Sequence, residues 1–249
     1  MCIRDRQINN NLILVIKKIC KLRFMKKIFI ILIFTVSLFE PSLCKDLKNL
    51  KSIEMDVLRN GEIIGFSNYK FEKKNNFFKV KNITSFNVEI LGVNLLSINS
   101  SGTEVYKNNK LISFNSKTFQ NKKIKYVNLK LSNDEKQYSI DGSSYKGNAS
   151  LKNVVGNWWN YEILKTDSQI SPLSGSIKKQ KVKYLGDEVF DFFGKNIKTQ
   201  KFSLKSKDEK ISDDKKLNFT VWIEPNSKVI FKVAYERMGN WEYKLKNYN

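Results

Sequence analysis

Residues 218–245 read NFTVWIEPNSKVIFKVAYERMGNWEYKL, and their alternation decides the fold class. Phe219, Val221 and Ile223 alternate with Asn218, Thr220 and Trp222, the period of two that sends successive side chains to opposite faces of a strand. Pro225-Asn226-Ser227 turns the chain, and Val229, Phe231, Val233 and Tyr235 return. Met238-Gly239-Asn240 then leads into Trp241, Tyr243 and Leu245.

The same pattern extends upstream. Ile53, Met55 and Val57 alternate with polar residues before Asn60-Gly61, the strongest short hairpin signal. Strands are predicted over 62–73, 77–90, 94–106, 111–119, 124–131 and 137–140. Asn75-Asn76, Asn108-Asn109, Gln120-Asn121 and Asn133-Asp134 turn the chain between them. Strands resume over 179–184, 188–193 and 197–204. Three stretches break the rhythm. Residues 153–164, NVVGNWWNYEIL, permit a short helix or a wide loop; 167–175 form a polar connector containing Pro172; 205–216 form a charged hairpin tip. The acids of that tip, Asp208, Glu209, Asp213 and Asp214, lack the glycine and the terminal glutamate of a calcium-binding EF-hand loop. Strands this long and numerous, with so little helix, need a second layer or self-closure to bury one face, and curling is the economical answer. The expected fold is therefore all-β, an antiparallel meander forming a strongly curved sheet or barrel. Its interior either is filled with side chains or holds an apolar ligand.

Ahead of this domain, Lys26 and Lys27 precede an apolar run from Ile28 to Phe39 and a short polar segment ending Ser42-Leu43-Cys44. That is the layout of a secretory signal peptide, and the run is shorter than the roughly 20 residues a membrane span needs. Residues 25–44 are thus expected to be a signal peptide and 45–249 a single exported domain, periplasmic or secreted. The alternative is a lipoprotein anchored through Cys44, against which stands the bulky Leu43 just before it. The opening Met-Cys-Ile-Arg-Asp-Arg matches a translated sequencing-library adapter, so residues 1–24 are expected to be non-native translation ahead of a start at Met25.

Composition removes several function classes. The chain has no histidine, and its three cysteines are Cys2, Cys20 and Cys44. The commonest general base, the usual catalytic-triad member and the commonest zinc ligands are therefore missing from 45–249. No metal, cofactor or catalytic residue is expected. Residues 45–249 hold 37 Lys and Arg against 22 Asp and Glu, a net charge of +15. Only Arg59 and Arg237 are arginines there, and arginine is the usual bidentate reader of phosphate, so no nucleic-acid partner is expected. The lysine excess reflects A/T-rich codon usage, yet it also suits an anionic membrane surface.

Short motifs add a resemblance. In order, they are Asn60-Gly61-Glu62-Ile63-Ile64-Gly65, Glu104-Val105-Tyr106, Phe114-Asn115-Ser116-Lys117-Thr118, Asn157-Trp158-Trp159-Asn160, Gly175, Val221-Trp222-Ile223-Glu224-Pro225 and Glu242-Tyr243-Lys244-Leu245. This ordered set resembles the bacterial domain-of-unknown-function family 6134 and, more distantly, family 3108. The resemblance implies an envelope-associated all-β domain and carries no catalytic residues.

Candidate binding residues are the large aromatics. Trp158 and Trp159 read either as an aromatic wall at a ligand mouth or as a plug closing one end of the core. Trp222 sits opposite Val221 and Ile223 and either lines a cavity or covers the outer side; Tyr243 joins the set from the last strand. Glu62, Glu104, Glu162 and Glu242 are the acids placed to serve a two-carboxylate hydrolase, the weakest reading. The leading expectation is a non-catalytic exported protein that binds a lipid or other amphiphile within a curved sheet. The alternative is a structural or interaction protein with a filled core. Cleavage after Cys44 is expected to leave Lys45 first; mass measurement of the exported protein's N-terminus checks this, and a diacylated Cys44 would replace it with the lipoprotein.

Overall fold

The structure, a computed structural model, describes residues 50–212 and 215–249; the segments 1–24 and 25–44, and Asp213 and Asp214 of the charged tip, lie outside the described residues. The first half of the domain supplies β1 (Ser52–Arg59), β2 (Glu62–Lys74), β3 (Phe77–Ile90), β4 (Val93–Lys107), β5 (Lys110–Gln120), β6 (Lys123–Leu131), β7 (Gln137–Gly142) and β8 (Lys146–Ser150). The second half supplies β9 (Val154–Val155), β10 (Ser168–Ile170), β11 (Ile177–Phe192), β12 (Lys195–Ser206), β13 (Asn218–Ile223), β14 (Ile230–Glu236) and β15 (Asn240–Tyr248). A single 3₁₀ turn, Tyr161–Leu164, lies between β9 and β10.

All fifteen strands join one sheet in the order β8-β7-β6-β5-β4-β3-β2-β1-β15-β14-β13-β12-β11-β10-β9. Every strand but two lies beside both its chain neighbours, and β1 pairs antiparallel with β15. The exceptions are β8 and β9, which form the two edges of the sheet although only residues 151–153 separate them. A flat sheet of this many strands would be about 65 Å wide at the usual strand spacing. The link from Ser150 to Val154 reaches at most about 14 Å. The sheet must therefore roll until its edges meet, so the predicted meander becomes a barrel-like wall with a seam between β8 and β9.

The seam is held from the inside by the turn between β10 and β11. The Ser144 N–H donates to the Ser174 carbonyl at 2.9 Å, and Ser116 Oγ donates to the Pro172 carbonyl at 2.6 Å. Gly142 makes the approach feasible, since a Cβ there would stand 2.7 Å from the Ser174 oxygen.

The inward face follows the alternation read from the sequence. Ile53, Met55 and Val57 of β1, Val127 and Leu129 of β6, Val221 and Ile223 of β13 and Leu245 of β15 are all buried. Each such side chain contributes about 1.5–3 kcal/mol relative to exposure. Asn60, Asn75, Asn108 and Asn121 open turns with φ of 51°, 54°, 51° and 54°, the left-handed region asparagine tolerates and two-residue hairpins require. The turn expected at Gln120-Asn121 falls one residue later, at Asn121-Lys122. One boundary differs. The two strands expected over 179–184 and 188–193 are one strand, β11. Its ladder to β12 absorbs Leu185 as a register shift and continues from Gly186 opposite Lys201. Three short strands, β8, β9 and β10, were not predicted, because none shows enough alternation to register.

Gly142→Val is expected to lower the urea midpoint of unfolding by an amount equivalent to about 1–3 kcal/mol, the usual cost of overpacking. An unchanged midpoint would mean that the seam is not held at this contact.

Candidate ligand cavity

Residues 156–164 leave the wall and cross the lumen. Trp159 turns toward β2–β4, its ring edge-on to Phe71, Phe78 and Tyr106 at centroid distances of 5.6, 5.9 and 5.9 Å. Its Nε1 donates to Glu104 Oε1 at 2.7 Å, and Asn157 Nδ2 donates to the same oxygen at 2.7 Å. The Tyr106 hydroxyl donates to the other carboxylate oxygen, Oε2. Glu104 is fully enclosed, and burial lifts its pKa above the ordinary carboxylate range despite three donors that favour the ionised form. Trp158 turns the opposite way, onto Phe219 of β13 at 5.0 Å and Tyr243 of β15 at 6.4 Å. Its backbone N–H donates to the Tyr69 hydroxyl at 3.2 Å, a phenol pushed up to about 12 by burial. Beyond them Asn160 Oδ1 caps the 3₁₀ turn by accepting from the Glu162 N–H at 3.1 Å, and Ile163 packs with Leu204 and Leu217. Two adjacent tryptophans thus reach opposite walls, and the segment plugs the barrel.

Because the meander alternates, its turns fall at two ends. The turns at 60–61, 91–92, 121–122, 143–145, 171–176, 207–217 and 237–239 share one end; those at 75–76, 108–109, 132–136, 151–153, 193–194 and 224–229 share the other. Between the plug and the first of these ends lies a cavity of about 1520 Å³. Asn157, Trp158, Tyr69 and Tyr243 lie toward its floor, while Gln120, Lys125, Ser144, Asp208 and Met238 mark its mouth. One wall is apolar toward the mouth, with Phe86, Leu96 and Ile98, and polar deeper in, with the hydroxyls of Ser67, Thr84 and Ser100 and the amide of Asn82. Those groups are partnered: Ser67 Oγ lies 2.7 Å from Thr84 Oγ1, and Ser100 Oγ lies 2.7 Å from Thr118 Oγ1. Lys125 shares the inward parity of Val127 and Leu129 on β6. Its ammonium donates to Gln120 Oε1 at 2.6 Å, and no carboxylate among the described residues pairs with it. A smaller hollow of about 780 Å³ lies behind the plug, against Tyr106, Leu111, Tyr138 and Asn160.

Of the residues singled out from the sequence, Trp158 and Tyr243 touch each other and line the cavity. Trp159 lies in the plug below it. Trp222 is on the other face of the wall: its Nε1 donates to Glu188 Oε2 at 2.8 Å, and Lys201 and Lys232 cover its ring at 5.0 and 5.3 Å. It covers the outer side, the second of the two readings, and does not reach the chamber. The four acids do not converge. Glu62 is exposed beside the β1–β2 turn, Glu104 is sealed by the plug, Glu162 pairs with Lys165 at 3.0 Å, and Glu242 pairs with Lys232 at 2.5 Å. Sequence reasoning missed Lys125 and the hydroxylic band. The signal was present in the parity of β4, where Ser100 and Gly102 stand between Ile98 and Glu104 on the same face.

The fold and its chamber define the class: a β-barrel-like protein with an internal cavity open at one end. Comparison with known proteins supplies the family. The profile described as Domain of unknown function (DUF6134) matches residues 55–246, and the chain belongs to that family. Among solved structures it is similar to the crystal structure of a beta-barrel-like protein of domain of unknown function DUF1849 from Brucella abortus. That match has a TM-score of 0.56 at 10% identity and covers 80% of this chain and 97% of the other, a likeness of fold alone. No curated protein matches the chain.

Removing the Glu104 side chain leaves three buried donors without an acceptor, so Glu104→Ala is expected to cost about 3 kcal/mol or more. Glu104→Gln keeps an acceptor and removes the charge. Since burial raises the folded-state pKa above the unfolded value, Glu104 favours folding most below the unfolded carboxylate pKa. That contribution is lost as pH rises through the folded-state value. Relative to Glu104→Gln, the wild type is therefore expected to lose stability between acidic and neutral pH, as denaturant titrations across that range would record. A constant difference would place the carboxyl in contact with solvent.

Proposed function

We propose that this protein is an exported, non-catalytic carrier or receptor for an amphiphile held in the chamber. The observation that carries the reading is the cavity itself: about 1520 Å³, closed below by the plug, open above and lined by both apolar and hydroxylic side chains. Ordinary small-ligand pockets enclose roughly 300–1,000 Å³. The mixed lining suits a molecule with an apolar body and a polar group. Lys125, inward-facing near the mouth and paired only with an amide, favours an anionic group at that level. Export rests on the signal-peptide layout of residues 25–44.

Native mass spectrometry of the exported protein, followed by solvent extraction, tests the proposal. A stoichiometric lipid or other amphiphile is the expected result. Lys125→Glu is expected to weaken binding of a fluorescent fatty acid by about tenfold or more, the scale of one charge-assisted contact, while leaving a neutral probe unaffected. A protein that carries nothing and takes up neither probe would retire the carrier in favour of a structural or interaction protein.

A further inference from the structure

The open end of the barrel carries apolar residues at positions that favour none. In a two-residue hairpin turn the first residue adopts the left-handed conformation, and at Asn60, Asn75, Asn108 and Asn121 this protein uses asparagine there. Leu91 and Met238 occupy the same conformation, at φ 51° and 50°, each followed by glycine. A bulky apolar residue is strained in that region, and packing does not compensate it here: Leu91 is 97% and Met238 83% exposed. Both turns belong to the mouth end. Next to Leu91, the exposed Val93, Leu95, Phe119 and Ile124 extend the apolar surface over the β3–β4 and β5–β6 hairpin ends.

The charge around that surface is one-sided. Residues 86–98 and 117–124 contain Lys117, Lys122 and Lys123 against one acid, Glu89. Lys117 lies over the Phe119 ring at 5.1 Å, so cation and apolar surface share one patch. The turn that carries Met238 is balanced, with Arg59 and Arg237 near Glu62 and Glu236, and Arg59 Nη2 donates to the Met238 carbonyl at 2.7 Å. An internal control exists at the opposite end. Phe193 also takes the left-handed turn position, φ 53°, and is 79% exposed, but its ring packs on Phe192 at 4.7 Å.

We infer that the mouth rim docks on an anionic lipid surface, with Leu91 and Met238 entering the acyl boundary and Lys117, Lys122 and Lys123 facing the headgroups. Apolar tips beside lysines are the composition that interfacial binding requires, and the area that gains by leaving water is the area the fold leaves exposed. The docking surface is independent of what the chamber holds, so it stands or falls separately from the carrier reading.

The test is co-sedimentation of the full chain with vesicles of phosphatidylcholine, with or without phosphatidylglycerol. Every variant is made in the same chain, so whatever residues 1–49 contribute is common to all. The wild type is expected to bind the phosphatidylglycerol vesicles in preference and to be released by salt. Leu91→Asn and Met238→Asn are each expected to weaken that binding by about tenfold, the scale of one buried apolar side chain. They should melt at or above the wild-type temperature, because asparagine suits the turn. Phe193→Asn is expected to bind as the wild type does. Equal binding by all variants, equal loss with Phe193→Asn, or indifference to phosphatidylglycerol would overturn the inference. So would a fall in melting temperature on either asparagine substitution, which would give the side chain a structural role. Self-association lost in Leu91→Asn, with vesicles left unbound, would replace the lipid surface by a second copy of the chain.

Discussion

A link of three residues, 151–153, constrains the whole molecule. It joins the two edges of a fifteen-stranded sheet, and no flat or gently twisted sheet can satisfy it. The wall has to roll, and rolling a sheet this wide encloses more space than its own inward side chains fill. The chamber is thus a geometric consequence of strand number and closure. What remained to be arranged locally was a stop at one end, and residues 156–164 provide it. Only the two residues of β9 separate the plug from the link, so the stretch that closes the barrel sideways runs on into the one that closes it below.

The plug is fixed to both walls by different means. On the β2–β4 side a sealed carboxylate collects donors from Asn157, Trp159 and Tyr106, and aromatic rings pack edge-on around it. On the β12–β15 side the contact is aromatic and aliphatic, through Trp158 on Phe219 and Tyr243 and Ile163 on Leu204 and Leu217. A buried carboxylate adds little net stability compared with an apolar core, but it admits few alternative partners. At Glu104 it fixes which residue of the plug meets which strand.

Much of this was legible in the sequence, and the parts that were not share a cause. Alternation at 53–57, 124–131 and 218–245 and the asparagine turns announced the strands, because period two and left-handed turn chemistry are local properties. The ordered motifs pointed to the family. The short strands β8, β9 and β10 were invisible, since two to five residues carry no period and their pairing depends on closure. The tryptophan pair reads as either a plug or a ligand wall, and the structure puts Trp159 in the plug and Trp158 on the floor of the cavity. Alternation set Trp222 opposite Val221 and Ile223 but left open whether it lines a cavity or covers the outer side, and the structure puts it on the outer side. Lys125 was passed over as one lysine among many, and its meaning comes from sharing a face with Val127 and Leu129.

The seam has a further consequence for the protein at high concentration. Any sheet that closes without a final ladder presents two open strand edges, each able to template a strand from another chain. Here β8 spans five residues and β9 only two. At these two strands an incoming chain finds few free N–H and C=O groups in line, and Lys146 and Lys152 flank the site. β11, however, is paired toward β10 only over Ile177–Lys179, so among the described residues its edge from Lys181 to Phe192 has no ladder on that side. The shortness that hid these strands from the sequence therefore blunts the seam itself and leaves β11 as the edge open to another chain's strand.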